Sequence, residues 1–350
     1  MSSSFVTCLV PTHNRPPFLR RLLKFYSQFP PGVAISVVDS SRPAAAAENV
    51  AAINGSSRKL SVGYQHFDLD FIGKCVRALE QVETPFTVFC ADDDFLFPDA
   101  VRQCTEFMID NPNYASAMGR TAQLNPKLPR WCSRVLRGYS IENEQPFERC
   151  RQLATHWFTN FYAVYRTETL LDNFQTTLAS TDSSLYYLVP EMLLSQLSAL
   201  RGRIKVLPTM YSLMERHGTN TGAGMRVGIR EQAESQFQRF KECLAGQFVR
   251  AGIEGVEAER YIDDQFGFFR EPDQAARRRP RSISEVAGHF LDSFREKLVG
   301  IWEPNFNRHR RFVRAGDLVG CEPVWHAAVQ LMRDFPQGIP AESSMVKRCA

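Results

Sequence analysis

The feature that most constrains the fold is an alternation running from the start of the chain to about Gly119. Short apolar runs of strand length alternate there with stretches whose apolar residues recur every three or four positions. Residues 5–10 read as a strand, closed by Pro11-Thr12-His13-Asn14-Arg15-Pro16. The next helix places Phe18, Leu19, Leu22, Leu23 and Tyr26 on one face, with prolines at its start where a missing N–H is harmless. A second strand over 33–38 ends at Asp39-Ser40-Ser41, and a weaker third covers 61–65. Ile72, Cys75, Val76, Leu79 and Val82 mark a helix, and 86–90 the following strand. A helix over 98–109, with Val101, Cys104, Phe107 and Met108 inward, and a strand over 114–118 complete the run. Repeated β-α units predict an α/β fold, a mostly parallel Rossmann-like sheet with helices on both faces.

Beyond this point the pattern loosens. From Arg120 to about Pro146 prolines and polar residues dominate, with Trp131 and Tyr139 embedded, so 119–160 reads as a functional loop region. Order returns with a strand over 161–165, a short helix capped by Thr167-Glu168, a helical stretch over 184–200, and strand-like segments at 204–207 and 210–214. After Gly224 the chain reads as helices, interrupted by the arginines of 277–281 and by 302–314. The expected division is a catalytic domain over 1–222 and a mainly helical C-terminal extension over 223–350. Hydrophobic content of 44% allows a substantial core, and a net charge of +4 gives no reason to expect a nucleic-acid partner. Nine cysteines without a CxxC pair, and a start that passes from Met1-Ser2-Ser3-Ser4 straight into a strand, predict a cytoplasmic protein with free thiols. No apolar run approaches the roughly 20 residues that span a bilayer.

Three consecutive aspartates, Asp92-Asp93-Asp94, sit directly behind the apolar run 86–90. Carboxylates crowded at the carboxyl end of a buried parallel strand repel one another, and ligands of open α/β sheets bind at those ends. An oxygen-only site there suits Mg²⁺ or Mn²⁺ holding nucleotide phosphates. The plainer alternative is a polar turn leading into the helix that Pro98 opens.

Three motifs in order carry a resemblance. Val6-Thr7-Cys8-Leu9-Val10-Pro11-Thr12-His13-Asn14-Arg15, Val37-Val38-Asp39-Ser40-Ser41 and Cys90-Ala91-Asp92-Asp93-Asp94-Phe95 resemble the first strand and loop, the second strand and the variable DxD motif of family 2-type glycosyltransferases with the GT-A fold. The likeness covers about residues 5–215. It implies a metal-dependent, inverting transfer of one sugar from a nucleotide-diphosphate sugar to a glycan or glycan-precursor acceptor, with Mn²⁺ or Mg²⁺ as cofactor. Pro11, Thr12, Asn14 and Arg15 would frame the nucleotide, with Asn14 alternatively a helix N-cap. Asp39 would accept from the base or ribose. Asp94 would be the direct metal ligand, while Asp92 and Asp93 would meet the metal, the ribose or the sugar. Lys74 would contact base or phosphate, or else lie solvated on its helix. Arg216 and His217 would reach the diphosphate or the metal, or else be surface turn residues.

Inversion requires a carboxylate to take the acceptor proton. Glu191, an acid behind Pro190 in an otherwise apolar helix, is the first candidate, because burial would raise its pKa into a useful range. Asp182 is the second. Trp157, Phe158, Tyr162 and Tyr165 are read as core rather than as a sugar-stacking platform. The chain lacks the Gln-x-x-Arg-Trp signature and membrane helices of processive synthases. A catalytically silent binding or assembly module is the rival reading, with a nucleotidyltransferase behind it because the loop after the first strand has no glycine. Dimerisation, acceptor binding and membrane-surface docking all stay open for the C-terminal helices.

Overall fold

The structure, a computed structural model, describes residues 5–56, 60–126, 134–136, 138–155, 157–180, 188–217, 233–267 and 310–334. The first half alternates as the apolar pattern requires: β1 (Val6–Thr12), α1 (Pro16–Gln28), β2 (Ala34–Asp39), α2 (Pro43–Ser56), β3 (Val62–His66), α3 (Phe71–Leu79) and β4 (Phe86–Phe89). Then come β5 (Phe95–Leu96), α4 (Pro98–Asp110), β6 (Tyr114–Leu124), β7 (Arg134–Leu136), α5 (Pro146–Thr155) and β8 (Val164–Arg166). The rest comprises α6 (Thr167–Ser180), α7 (Leu188–Arg201), β9 (Arg203–Glu215), α8 (Ala233–Arg250), α9 (Gly255–Phe266), β10 (Arg310–Phe312) and α10 (Glu322–Asp334).

The ten strands among the described residues belong to one sheet, with a main path of β10-β7-β6-β8-β4-β1-β2-β3 and β9 bridging β5 and β6. The β4-β1-β2-β3 portion is parallel throughout; its central strands β1 and β4 are buried on both faces, hence their continuous apolar runs, while the edge strand β3 is half-exposed. Antiparallel β8 joins that portion to β6, which β9 then accompanies in parallel. Parallel register sets Thr12 beside Asp39 and Leu9 beside Phe89, so the loops leaving β1, β2 and β4 emerge together at one edge. β5 pairs with β9, Phe95 opposite Leu213, and that pairing carries the end of β9 to the residues just after β4.

Several elements differ from the sequence expectation. α2 was not foreseen: it is alanine-rich and buries Asn49 and Ile53, so no apolar stripe marks it. The region expected as loop contains the second half of β6, strand β7 and helix α5. The segments at 204–207 and 210–214 are one strand, β9, whose irregular register against β6 conceals its continuity. The helix begun at Thr167 is 14 residues long.

The later elements pack against the sheet and its helices. α10 places Trp325, Val329 and Met332 in the cluster that packs the sheet, and β10 extends the sheet at β7. α8 and α9 supply Phe237, Phe240, Phe248 and Tyr261 to a second cluster shared with α5 and α7. Arg149 of α5 joins these parts by donating to the Ala199 and Leu200 carbonyls at 2.7 and 2.9 Å, which satisfies acceptors left over at the end of α7. Of the aromatics read as core, Tyr165 is buried, while Trp157, Phe158 and Tyr162 pack partly buried at the cluster margins. No helix among the described residues is long and apolar enough to cross a membrane, and the seven cysteines among them are free thiols.

Candidate active site

The three aspartates follow β4 in a tight turn closed by the Asp94 N–H donating to the Ala91 carbonyl at 3.1 Å. All three are buried, yet each side chain enters a different environment. Asp92 turns back to β1: Thr12 Oγ1 donates to its Oδ2 at 2.7 Å, and Arg15 Nη1 lies 3.1 Å from its Oδ1. Asp93 meets Arg15 Nη2 at 2.5 Å and His217 Nε2 at 2.8 Å, both through Oδ2. Asp94 accepts from the Glu215 N–H at 2.9 Å.

These environments separate their acidities. Burial, only partly countered by Arg15, pushes Asp92 up to about 6. For Asp93 the same burial penalty is outweighed by His217 and Arg15, and the carboxyl is held down at about 2. Burial and the charge of Asp93 drive Asp94 well above the usual carboxylate range. A carboxylate raised in this way is short of counter-charge.

Arg15 can reach the turn because of where α1 begins. It occupies the N-cap position, its side chain makes no cap, and Pro16 starts the helix. Its guanidinium also lies 4.2 Å from the centre of the Phe18 ring, which stacks on His217 at 5.0 Å. Asn14 is not the N-cap. It adopts a left-handed φ of 54°, takes Ser41 Oγ as acceptor for its N–H at 2.7 Å, and accepts from the Arg42 N–H at 2.9 Å. Asn14 thus ties the loop after β1 to the loop after β2. Pro11 stands in β1 opposite Val38.

Asp39 ends β2 fully buried. Its Oδ1 accepts from the Ser41 N–H at 2.7 Å, and its Oδ2 accepts from Asn49 Nδ2 at 2.8 Å and Tyr64 Oη at 2.9 Å. Burial opposes ionisation, but these donors hold its pKa below the ordinary value. Lys74 is buried too, which replaces the solvated-lysine alternative: Nζ donates to the Thr12 carbonyl at 2.6 Å and to Ser40 Oγ at 3.0 Å. Burial lowers its pKa. Asp70 caps α3 by accepting from the Gly73 N–H at 2.7 Å, and so fixes the turn that carries Lys74.

Glu191 is half-buried in the first turn of α7, outside the hydrogen bonds that join the aspartates. Burial raises its pKa, with the Thr159 hydroxyl pulling the other way. Its turn is anchored by Ser195 Oγ, which donates to the Glu191 carbonyl at 2.8 Å and to Asn160 Oδ1 at 2.7 Å. Arg216 is exposed, and its N–H closes β9 onto the Leu124 carbonyl at 2.7 Å. Asp182, Trp131 and the arginines of 277–281 lie outside the described residues.

The structure adds participants that were not anticipated. Arg21 donates through Nη2 to the Asp93 carbonyl at 2.8 Å and pairs with Glu215 at 2.5 Å. Asn49, Tyr64 and Ser41 complete the surroundings of Asp39. The available signal for Arg21 was its position on the apolar face of α1, three residues after Phe18 and one before Leu22.

The donor set would suit a hard divalent cation, because the carboxylates of the turn offer only oxygen, and Asp94 has no cationic side chain in contact among the partners described. Among the described residues no three His, Cys, Asp or Glu side chains form a ready cage.

Residues 7–173 match the family described as Glycosyl transferase family 2. The chain superposes on a crystal structure of residues 1–349 of S. aureus TarS in complex with UDP-GlcNAc, with a TM-score of 0.56 and 14% identity over 94% of this chain and 90% of that one. The same fragment solved separately gives a TM-score of 0.55 at 15% identity, over 83% of this chain and 80% of that one. A longer S. aureus TarS structure gives 0.52 at 17% identity, over 96% of this chain and 49% of that one. Such likeness establishes the GT-A fold. No curated protein matches the sequence.

Proposed function

We propose, taking the family 2 glycosyltransferase domain of residues 7–173 as premise, that the chain transfers a single sugar from a nucleotide-diphosphate sugar to a carbohydrate or glycan-precursor acceptor, with inversion. The observation that carries this reading is the convergence of Arg15, the aspartate turn and His217 at the carboxyl end of β4, in a sheet of GT-A topology.

The carboxylates of Asp94 and Asp92 would hold Mn²⁺ or Mg²⁺. A divalent cation there supplies neutralisation of the charge that develops on the departing diphosphate. Arg15 offers a planar guanidinium suited to phosphate oxygens as well as to Asp92 and Asp93. Lys74 holds the end of β1 against the loop after β2, and Asp39 shapes that loop from within through Ser41, Asn49 and Tyr64. Glu191 is the proposed base, because burial raises its pKa toward the range in which a carboxylate accepts an acceptor proton. His217 steadies Asp93 and would offer its imidazole to the same cation.

TarS of similar fold is solved with UDP-GlcNAc, so UDP-sugars head the list of donors to test. The test is a thermal-shift panel of UDP, GDP, CDP, dTDP and CMP with and without Mn²⁺, on the full chain and on Asp94→Ala. Ligands that bind the native state raise the melting temperature by mass action. A Mn²⁺-dependent shift with one diphosphate, lost in Asp94→Ala, is the expected result. A shift unchanged in Asp94→Ala overturns the metal assignment, and no shift with any nucleotide favours the silent binding module.

A further inference from the structure

One buried ion pair grips the aspartate turn from behind. Arg21 and Glu215 have side-chain exposures of 0% and 1%, and an arginine is almost never so enclosed without a partner. Nη2 of Arg21 reaches both the Glu215 carboxylate at 2.5 Å and the Asp93 main-chain carbonyl at 2.8 Å. The guanidinium lies 5.2 Å from the Phe18 ring centre and 5.5 Å from that of Phe95. Its Nε and Nη1 have no hydrogen-bond partner among the described residues. Glu215 holds the turn from the other side, since its own N–H donates to Asp94 Oδ1 at 2.9 Å. Two residues further on, His217 meets Asp93.

Such a pair is poor evidence for a stabilising device. Taking both charges out of water costs several kcal/mol per ion, and apolar replacements of similar volume are often neutral or better. Two unpartnered donors on Arg21 worsen the balance. The geometry instead links α1 to the end of β9 across residues 93 and 94, the main chain of one and the side chain of the other. We propose that Arg21 and Glu215 form a positioning pair that fixes the Asp93–Asp94 turn for a divalent cation and a nucleoside diphosphate. The inference rests on the donor-site reading given above. Neither residue touches the substrate; both act through Asp93 and Asp94.

The test uses the full chain and the double variant Arg21→Met/Glu215→Met, which removes both charges at once, alongside Arg21→Lys. The measurements are urea unfolding, Mn²⁺ titration in the presence of UDP, and kcat and KM for the sugar nucleotide. The expected result is a double variant with a near wild-type unfolding midpoint and Mn²⁺ affinity reduced about 10- to 100-fold, the usual effect of losing a partner that orients metal ligands. Turnover should fall more than KM changes. Wild-type Mn²⁺ affinity and kcat in the folded double variant overturn the positioning role. Should the double variant not fold, Arg21→Lys decides: it keeps the charge but loses the planar fork. Weakened Mn²⁺ binding at intact stability then supports the proposal, and an unchanged Mn²⁺ response overturns it. A wild-type chain with no Mn²⁺-dependent nucleotide binding sinks the donor-site reading, and the inference with it, before any variant is compared.

Discussion

Asp39 provides the sharpest quantitative test, because its surroundings suggest a role other than the one its motif implies. The motif assigns it to the donor's base or ribose. In the structure it is fully buried and accepts three hydrogen bonds, from the Ser41 N–H, Asn49 Nδ2 and Tyr64 Oη. Replacement by Asn keeps an acceptor for Ser41 but turns an NH₂ group toward two donors. The Tyr64 hydroxyl can rotate to accept from it. Asn49 can satisfy it only by an amide flip, which strands the Asn49 NH₂ in turn. One buried donor is therefore orphaned and the charge assistance is lost, a combined cost of about 3 kcal/mol. Tyr64→Phe removes a single bond and strands no donor, so it should cost about 1–2 kcal/mol. Urea unfolding followed by tryptophan fluorescence at pH 7 measures both. Asp39 has a folded pKa below its unfolded value, so its contribution is present above the unfolded pKa and lost as pH falls through the folded one. The gap between wild type and Asp39→Asn should accordingly close in acid. An Asp39→Asn variant within about 0.5 kcal/mol of wild type, the range of ordinary surface substitutions, would refute the reasoning and return Asp39 to direct donor contact.

Other expectations follow from the same geometry. Glu191→Gln should leave Mn²⁺-dependent nucleotide binding intact while turnover falls by about 10²–10⁴-fold; normal turnover in a product-release assay removes Glu191 from the role of base. Asp92 has a folded pKa of about 6, raised by burial, so the stability it contributes is present at acid pH and is lost as pH rises through 6. Without metal, urea midpoints should therefore drop between pH 5 and 7 more steeply in wild type than in Asp92→Asn, and equal slopes would argue against the assignment. Gly119 of β6 has no room for a Cβ, which would sit 2.6 Å from the Thr209 carbonyl oxygen and 2.8 Å from Tyr211 Cβ. Gly119→Ala should cost about 1–3 kcal/mol by forcing β6 away from β9, as read by the same denaturation assay.

β1 and β4 were legible because strands buried on both faces have no polar alternation to preserve, and the amphipathic helices α1 and α3 mark the units around them. Elements without such contrast were not. α2 buries only Asn49 and Ile53, and its Ala44–Ala47 run is exposed or half-buried, so it leaves no stripe to detect. β5 and β7 are two and three residues long, shorter than any period that could reveal them, and of the strand expected over 161–165 only the end, as β8, is strand. β9 is long, but register shifts opposite Tyr114, Met118 and Arg120 break its pattern into pieces. At the site, the triplet and the Asn14-Arg15 loop could be found because they stand at strand ends. Arg21 could not be placed from the sequence, since an arginine on an apolar helix face can as easily extend its charged head to water. What settles its fate is Glu215, nearly two hundred residues away, and no local pattern carries that distance.

Adjacency in sequence is what allows the triplet to divide its roles. A tight turn sends neighbouring side chains in different directions, so Asp92 answers to β1, Asp93 to α1 and His217, and Asp94 to the end of β9. Arg15 is shared by the first two, and the Arg21–Glu215 pair reaches the last two, so no one member can be altered alone. Substitutions within this group should couple rather than add, as side chains in one buried ion-pair network do. The same sharing bears on any cation bound here. Arg15 already neutralises part of the charge on Asp92 and Asp93, so under the proposed function a divalent ion would draw its main electrostatic gain from Asp94, the carboxylate driven furthest from ionisation. Such an ion would also have to displace whatever proton Asp94 retains, so its affinity should rise with pH over the range where that carboxyl titrates.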